Sequence, residues 1–210
     1  MLLNELILYE DNHILVVNKP ANLSSLPNEG MHDIVTEMKE FLKMRDGKKG
    51  NVFLHPVHRL DKAVSGILVM AKTSKALSRL NEQIRQKCWK KIYIAKLSKN
   101  LPEKAGKLVH HLCKKEFFAQ VYVSKKPFSK EAILYYRHLR DHFYEIELET
   151  GRYHQIRAQL AFMKCPIDGD EKYGGSKDPS GNIQLHHAKL TFYHPVTKNE
   201  IVIDSKPAFY

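Results

Sequence analysis

Short, uninterrupted apolar runs set the first limit on what this chain can fold into. Gly66–Ala71 offers no polar side chain on alternate positions, so it reads as a strand buried on both faces. Leu6–Tyr9 and Ile14–Asn18 flank Glu10-Asp11-Asn12-His13, a pattern that predicts a β-hairpin ending at Pro20. No run approaches the roughly 18 apolar residues that a membrane span needs. Helical spacing appears after Asp33, at Ile34, Met38, Phe41 and Leu42, and is closed by Gly47 and Lys48-Lys49-Gly50. A second helix, capped by Thr73 or Ser74, carries Leu77, Leu80 and Ile84 on one face. Ile92–Leu97 returns to strand character. Lys104–Lys130 is basic and weakly periodic, which suggests a long loop with some strand.

Ala132–Leu139 and His142–Glu149 form the clearest strand pair, because Tyr144, Ile146 and Leu148 alternate with Glu145, Glu147 and Glu149. Tyr153, Ile156, Leu160 and Met163 then give helical spacing beyond Gly151. A turn-rich loop, Gly174–Gly181, precedes a closing hairpin of Lys189–Tyr193 with Glu200–Asp204. Helices interspersed with hairpins predict an α+β fold, with a mixed, largely antiparallel central sheet and flanking helices.

The 210 residues suit one domain, or two small subdomains sharing a core, and 43% hydrophobic content excludes a mainly disordered chain. Against 23 Asp and Glu stand 34 Lys and Arg, a net charge of +11 that points to a polyanion such as nucleic acid. Cys88, Cys113 and Cys165 are odd in number and far apart, which suits reduced thiols rather than a disulfide framework or zinc knuckle. Met1-Leu-Leu-Asn-Glu5 lacks the basic start of a secretory signal, so the expected location is cytoplasmic.

Three segments concentrate polar chemistry. In His55-Pro-Val-His58-Arg59-Leu60-Asp61, a carboxylate stands between Arg59 and Lys62, and cationic neighbours favour its ionised form. It could be a nucleophile, a general base or a salt-bridge partner. His55, His58 and Asp61 also resemble a metal set, but Pro56 argues against a helix that would align them. In Thr150-Gly-Arg152-Tyr153-His154-Gln155-Ile156-Arg157, Gly151 allows a sharp turn into a helix. Arg152, His154, Gln155 and Arg157 add donors for a phosphate or a base edge. From Arg85 to Lys104 there are seven Lys and Arg and one acid, Glu103, with Trp89 and Tyr93 among them. Such interleaving suits stacking on bases beside a phosphate track, with Lys90 and Lys91 as backbone contacts.

Taken in order, these segments resemble the RluA family of RNA pseudouridine synthases. His58-Arg-Leu-Asp61-Lys-Ala-Val64-Ser-Gly66 is similar to the family's catalytic-Asp motif, and Lys91-Ile-Tyr93-Ile-Ala95 to its Lys-x-Tyr-x-Ala strand. Thr150–Arg157, followed by Pro166-Ile-x-Gly169-Asp170-x-x-Tyr173-Gly174, resembles a further motif. The opening Leu8-Tyr-Glu-Asp11…Val16-Val-Asn-Lys19-Pro20 and the closing Leu185-His186…Leu190–Pro195 also fit. Val64 replaces the usual Thr or Ser, and His187 the usual Ala. The resemblance implies isomerisation of uridine within structured RNA, ribosomal or transfer, without cofactor or metal.

On that resemblance Asp61 attacks the ribose or assists glycosidic cleavage. Arg157 is its cationic partner, with Arg152 as the lesser candidate. Tyr93 lies against the target base, Arg59 fills the space the flipped uridine leaves, and Leu185 closes the pocket; His58, His154 and Gln155 join the substrate contacts. It further implies a single catalytic domain over residues 1–210 without an accessory N-terminal RNA-binding domain. The expected protein is a monomer with no obligate protein partner and no membrane contact. Two alternatives differ in class: a non-catalytic RNA-binding protein on the same fold, and a metal hydrolase using His55, His58 and Asp61.

Overall fold

The computed structural model describes residues 2–27, 32–179 and 181–210, and within them the chain forms eleven strands and three α-helices. They are arranged in two compact units, Met1–Trp89 with His187–Lys206, and Lys90–His186 with Pro207–Tyr210. No described helix is long and apolar enough to cross a membrane.

The first unit is organised by strands β1 (Ile7–Glu10), β2 (Ile14–Lys19) and β4 (Ser65–Ala71). The predicted hairpin is β1 paired antiparallel with β2, and β2 pairs antiparallel with β4, from Ile14 opposite Ala71 to Lys19 opposite Gly66. Both central strands are buried on both faces, which is why their sequences do not alternate. Leu15, Val17, Leu68 and Met70 pack against helix α1 (Ile34–Arg45) through Ile34, Val35, Met38 and Leu42. Ile14, Val16, Ile67, Val69 and Ala71 pack on the other face with Ala76 and Leu80 of helix α2 (Ser74–Arg85). Asp33 caps α1 through the Thr36 N–H, and Thr73, not Ser74, caps α2 through the Ala76 N–H.

A two-residue strand β3 (His55–Pro56) also pairs antiparallel with β4. Strands β10 (Leu185–Tyr193) and β11 (Glu200–Asp204) form the closing hairpin. Glu10 fastens the far corner. Its carboxylate takes both Nη atoms of Arg45 and the Lys72 ammonium, and the Arg45 fork holds its pKa down to about 2.

In the second unit, β5 (Lys90–Lys96), β9 (Phe143–Leu148), β8 (Lys130–Arg140), β6 (Ala105–Lys114) and β7 (Ala119–Tyr122) follow one another as antiparallel neighbours. Helix α3 (Gln155–Phe162) is buried from Gln155 to Leu160. The expected loop over Lys104–Lys130 is therefore corrected: most of it is a β6–β7 hairpin. Along β6 the inward positions are Leu108, His110 and Leu112, while apolar Val109 faces outward, so the alternation was disguised. All of the expected turn-rich loop Gly174–Gly181 except Ser180 lies within the described residues, and it contains no strand or helix. The fold class is the α+β one expected, and every strand pairing described above is antiparallel.

Gly66 begins the buried run of β4 with φ +116°, and a Cβ there would overlap the backbone carbonyl of His187. An alanine meets both a disfavoured backbone region and a main-chain collision that no rotamer change relieves. Gly66→Ala should lower unfolding stability by about 3 kcal/mol in urea titrations. A loss below about 0.5 kcal/mol would show that the backbone here yields easily.

Candidate active site

The loop bearing Asp61 leaves β3 and is tied to the first unit at successive points. Val57 N–H donates to the Val69 carbonyl at 2.9 Å, and His58 Nε2 accepts from the Val69 N–H at 3.1 Å. Ser25 Oγ, itself buried, donates to the Leu60 carbonyl at 2.8 Å and accepts the Leu60 N–H at 3.1 Å. Val64 N–H closes a turn on the Asp61 carbonyl at 3.0 Å. The half-buried Asp61 therefore stands on a loop fixed from both sides, while its neighbours Arg59 and Lys62 are exposed.

Beneath this loop lies Lys19, the last residue of β2, with 0% exposure. Its ammonium donates to the carbonyls of Pro20 at 2.8 Å, Leu23 at 2.9 Å and Lys62 at 3.2 Å. Three acceptors match the three protons of an ammonium, where an amine offers only two. Burial pushes its pKa down to about 7, and the negative charge of Asp61 opposes that shift. Within this unit, then, Asp61 faces a cation that the sequence reading quoted in a motif without assigning it a role. The only signal was a lysine at the end of a buried strand, immediately before Pro20.

His58 was expected to touch substrate. Here it pins the loop: besides the Val69 bond, its ring lies edge-to-face with Trp89 at 5.4 Å and His187 at 5.7 Å between centroids. Among the described residues no three His, Cys, Asp or Glu side chains are grouped so as to hold a metal ion, so His55, His58 and Asp61 do not form a ligand set. Trp89 is corrected as well. Instead of offering a stacking surface it is 6% exposed, packs on Phe192 and donates from Nε1 to Gln83.

The remaining expected residues lie in the second unit. Tyr93 is buried on β5, opposite Ile146, and Leu185 is buried at the start of β10. Lys90 is exposed and 3.1 Å from Glu147, an exposed pair that contributes little to stability. Lys91 is half-buried, and burial lowers its pKa.

Arg157 is 6% exposed and gripped by Asp170, Nε to Oδ2 at 2.7 Å and Nη2 to Oδ1 at 2.8 Å. This two-pronged geometry is the strong form of an arginine–carboxylate pair and holds the guanidinium 5.2 Å above the Tyr173 ring. The Tyr173 hydroxyl accepts the Ala119 N–H at 2.7 Å and lies 3.0 Å from His154 Nδ1. The direction of the Tyr173–His154 bond follows the tautomer of the imidazole. His154 itself has φ +51° and stacks on Tyr153 with centroids 3.8 Å apart. Arg152 is exposed, its Nε donating to the Glu131 carbonyl at 2.8 Å.

Gln155 turns inward, contrary to its expected part as a donor to RNA. Its Oε1 accepts from Thr150 Oγ1 and the Arg152 N–H, and its Nε2 donates to the Ile133 carbonyl. The amide fixes the turn into α3.

A family model described as RNA pseudouridylate synthase matches residues 13–162, a span holding Asp61, Tyr93 and Arg157. The chain belongs to this family. It is an isomerase of the pseudouridine synthase type. A Bacillus subtilis protein named uncharacterized RNA pseudouridine synthase YhcT is 33% identical over 206 residues, covering 95% of this chain and 67% of its own length. Ribosomal large subunit pseudouridine synthase D of Xylella fastidiosa is 36% identical over 210 residues, covering 90% of this chain and 62% of its own. The chain thus spans about two thirds of the length of these curated relatives. Human RNA pseudouridylate synthase domain containing 4 superposes with a TM-score of 0.82 at 25% identity, over 99% of this chain and 90% of that one.

Lys19 generates a prediction with a defined sign. Unfolded, a lysine keeps its proton to about pH 10.5, whereas folded Lys19 gives it up near 7. Between those values the unfolded chain binds more proton, so raising the pH favours the folded state. The parent should gain stability over Lys19→Met as pH rises from 7 to 9.5, by up to about 1.4 kcal/mol per pH unit. Parallel urea-midpoint profiles for the two proteins would remove Lys19 as the titrating group.

Proposed function

We propose that this chain converts uridine to pseudouridine in structured RNA, with ribosomal RNA as the first candidate substrate, and that Asp61 carries the chemistry. The observation behind the assignment is the held carboxylate: Asp61 sits on a loop tied to Ser25, β4 and Lys19, with a buried ammonium facing it. Ribosomal RNA is favoured because curated relatives at 31–36% identity are named large subunit synthases C and D.

The glycosidic bond between N1 of the base and C1′ breaks with Asp61 attacking the ribose or assisting departure. The freed base turns, C5 bonds to C1′ as any Asp61 ester there is displaced, the C5 proton leaves to solvent and N1 takes up a proton, so the product is an isomer of the substrate. Tyr93, carried over from the Lys-x-Tyr-x-Ala motif, lies against the target base, where its ring can stack and its hydroxyl can reach a proton. Arg157 supplies positive charge, held in orientation by Asp170. Arg59, exposed beside Asp61, occupies the space the uridine leaves on extrusion, a step chemistry on a stacked base requires. Leu185 closes the pocket with an apolar surface, and the exposed Arg152 with the strand lysines holds the phosphate backbone.

Release of tritium from RNA labelled at uridine C5 tests this directly. Asp61→Asn should cut single-turnover release by roughly a thousandfold or more, as loss of a reacting group does, while keeping RNA affinity within about twofold. Release at the parent rate by the variant would take Asp61 out of the mechanism. Absence of release by the parent on any cellular RNA would favour the binding-only alternative.

A further inference from the structure

Segment 114–130 of the second unit carries five lysines, Lys114, Lys115, Lys125, Lys126 and Lys130, against one acid, Glu116. It also carries the most exposed phenylalanine, Phe128 at 94%, with Phe117 at 64% and Phe118 at 46%. Strand register brings these together. Lys114 stands opposite Ala119 and Leu112 opposite Lys130, so the 115–118 turn and the 123–129 connection both lie at the Lys114 end of β6. Neither segment is a loose loop. Lys115 N–H donates to the Phe118 carbonyl at 2.8 Å, closing the first turn. Ser129 closes the second on Lys126, through its N–H at 3.0 Å and its Oγ at 2.6 Å, with Phe128 presented at φ +62°.

The same end is fastened to the family motif within this unit. Tyr173 bridges Ala119 and His154, Lys172 Nζ donates to the Phe117 carbonyl at 3.2 Å, and Lys114 Nζ lies 5.1 Å from the Tyr153 ring centroid. Rings held in water cost hydration free energy that a monomer would lower by burying them, and cations interleaved with exposed rings match a chain of phosphates carrying bases.

We propose that this ridge is a stacking platform for unpaired nucleotides of the RNA substrate, with Phe128 and Phe117 taking base faces and Lys115, Lys125 and Lys126 the intervening phosphates. The proposal rests on RNA being the substrate. It adds that the chain engages single-stranded RNA through residues other than Asp61 and Tyr93. Stacking tolerates any base, so the ridge supplies grip and a requirement for unpaired structure rather than sequence choice.

Fluorescence anisotropy with an unstructured 12-nucleotide RNA and a 12-base-pair RNA duplex tests it, using the parent, Phe117→Leu/Phe128→Leu and Phe117→Tyr/Phe128→Tyr. Leucine keeps an apolar side chain without a ring; tyrosine keeps the ring. The leucine pair should weaken single-strand binding by roughly tenfold per ring, and the tyrosine pair should stay within about threefold of the parent. Duplex affinity should change for neither. Lys115→Ala/Lys125→Ala/Lys126→Ala should reduce the slope of log affinity against log salt by about 2.

Unaltered single-strand binding by the leucine pair, or equal losses on both RNAs, would overturn the platform. So would ring-dependent binding to phosphatidylglycerol vesicles without ring dependence on RNA, since basic aromatic ridges also suit anionic membranes. Tritium release separates the two claims. Ring-dependent binding without release by the parent leaves the platform standing and removes the catalytic reading; release without ring dependence does the reverse.

Discussion

An ammonium group with no exposed surface is the constraint around which the first unit is arranged. Lys19 reaches that position because β2 is covered on both faces, by α1 and by α2, so its last side chain has no short route to water. Removing a charge from solvent is expensive unless its bonds are made good, and the carbonyls of Pro20, Leu23 and Lys62 do this. Two of those carbonyls follow β2 and the third belongs to the Asp61 loop, so the same cation joins chain segments more than forty residues apart. Gly66 completes the clamp, opposite Lys19 on β4, where the backbone passes too close to His187 for any Cβ. Asp61 inherits both effects: a fixed backbone and a facing positive charge.

The second unit handles charge differently. Arg157 is nearly as buried as Lys19, but its partner is a carboxylate, Asp170, and the pair is extended through Tyr173 to His154 and Ala119. Several motif residues thus serve the structure of this unit. Gln155 and Tyr173 orient the turn into α3 and the adjoining hairpin. Arg152 and the lysines of 114–130 point the +11 excess toward solvent, where a polyanion can meet it.

Much of this was legible in the sequence because local rules and tertiary packing agree. The β1–β2 hairpin, the Asp33 and Thr73 caps, and the alternating glutamates of β9 each follow from one period or one side chain. Asp61, Tyr93 and Arg157 were nameable by motif. What escaped notice depended on direction rather than residue type. Lys19 stood in a motif with no role assigned, Trp89 looked like a surface ring and Gln155 like an outward donor. Each is turned inward by a neighbour distant in sequence, whether Lys62, Phe192 or Ile133. Strand β6 was hidden because His110 faces the interior and Val109 faces water, reversing the usual polarity.

On the proposed function, the carboxylate on the loop above Lys19 isomerises uridine in RNA. Unmodified ribosomal and transfer RNA transcripts, incubated with the parent chain or with Asp61→Asn and mapped for pseudouridine at nucleotide resolution by carbodiimide modification, test it most directly. The parent should convert a small, reproducible set of uridines, and the variant none at equal bound fraction. The same sites converted by Asp61→Asn, or no site converted by the parent in either RNA class, would contradict it.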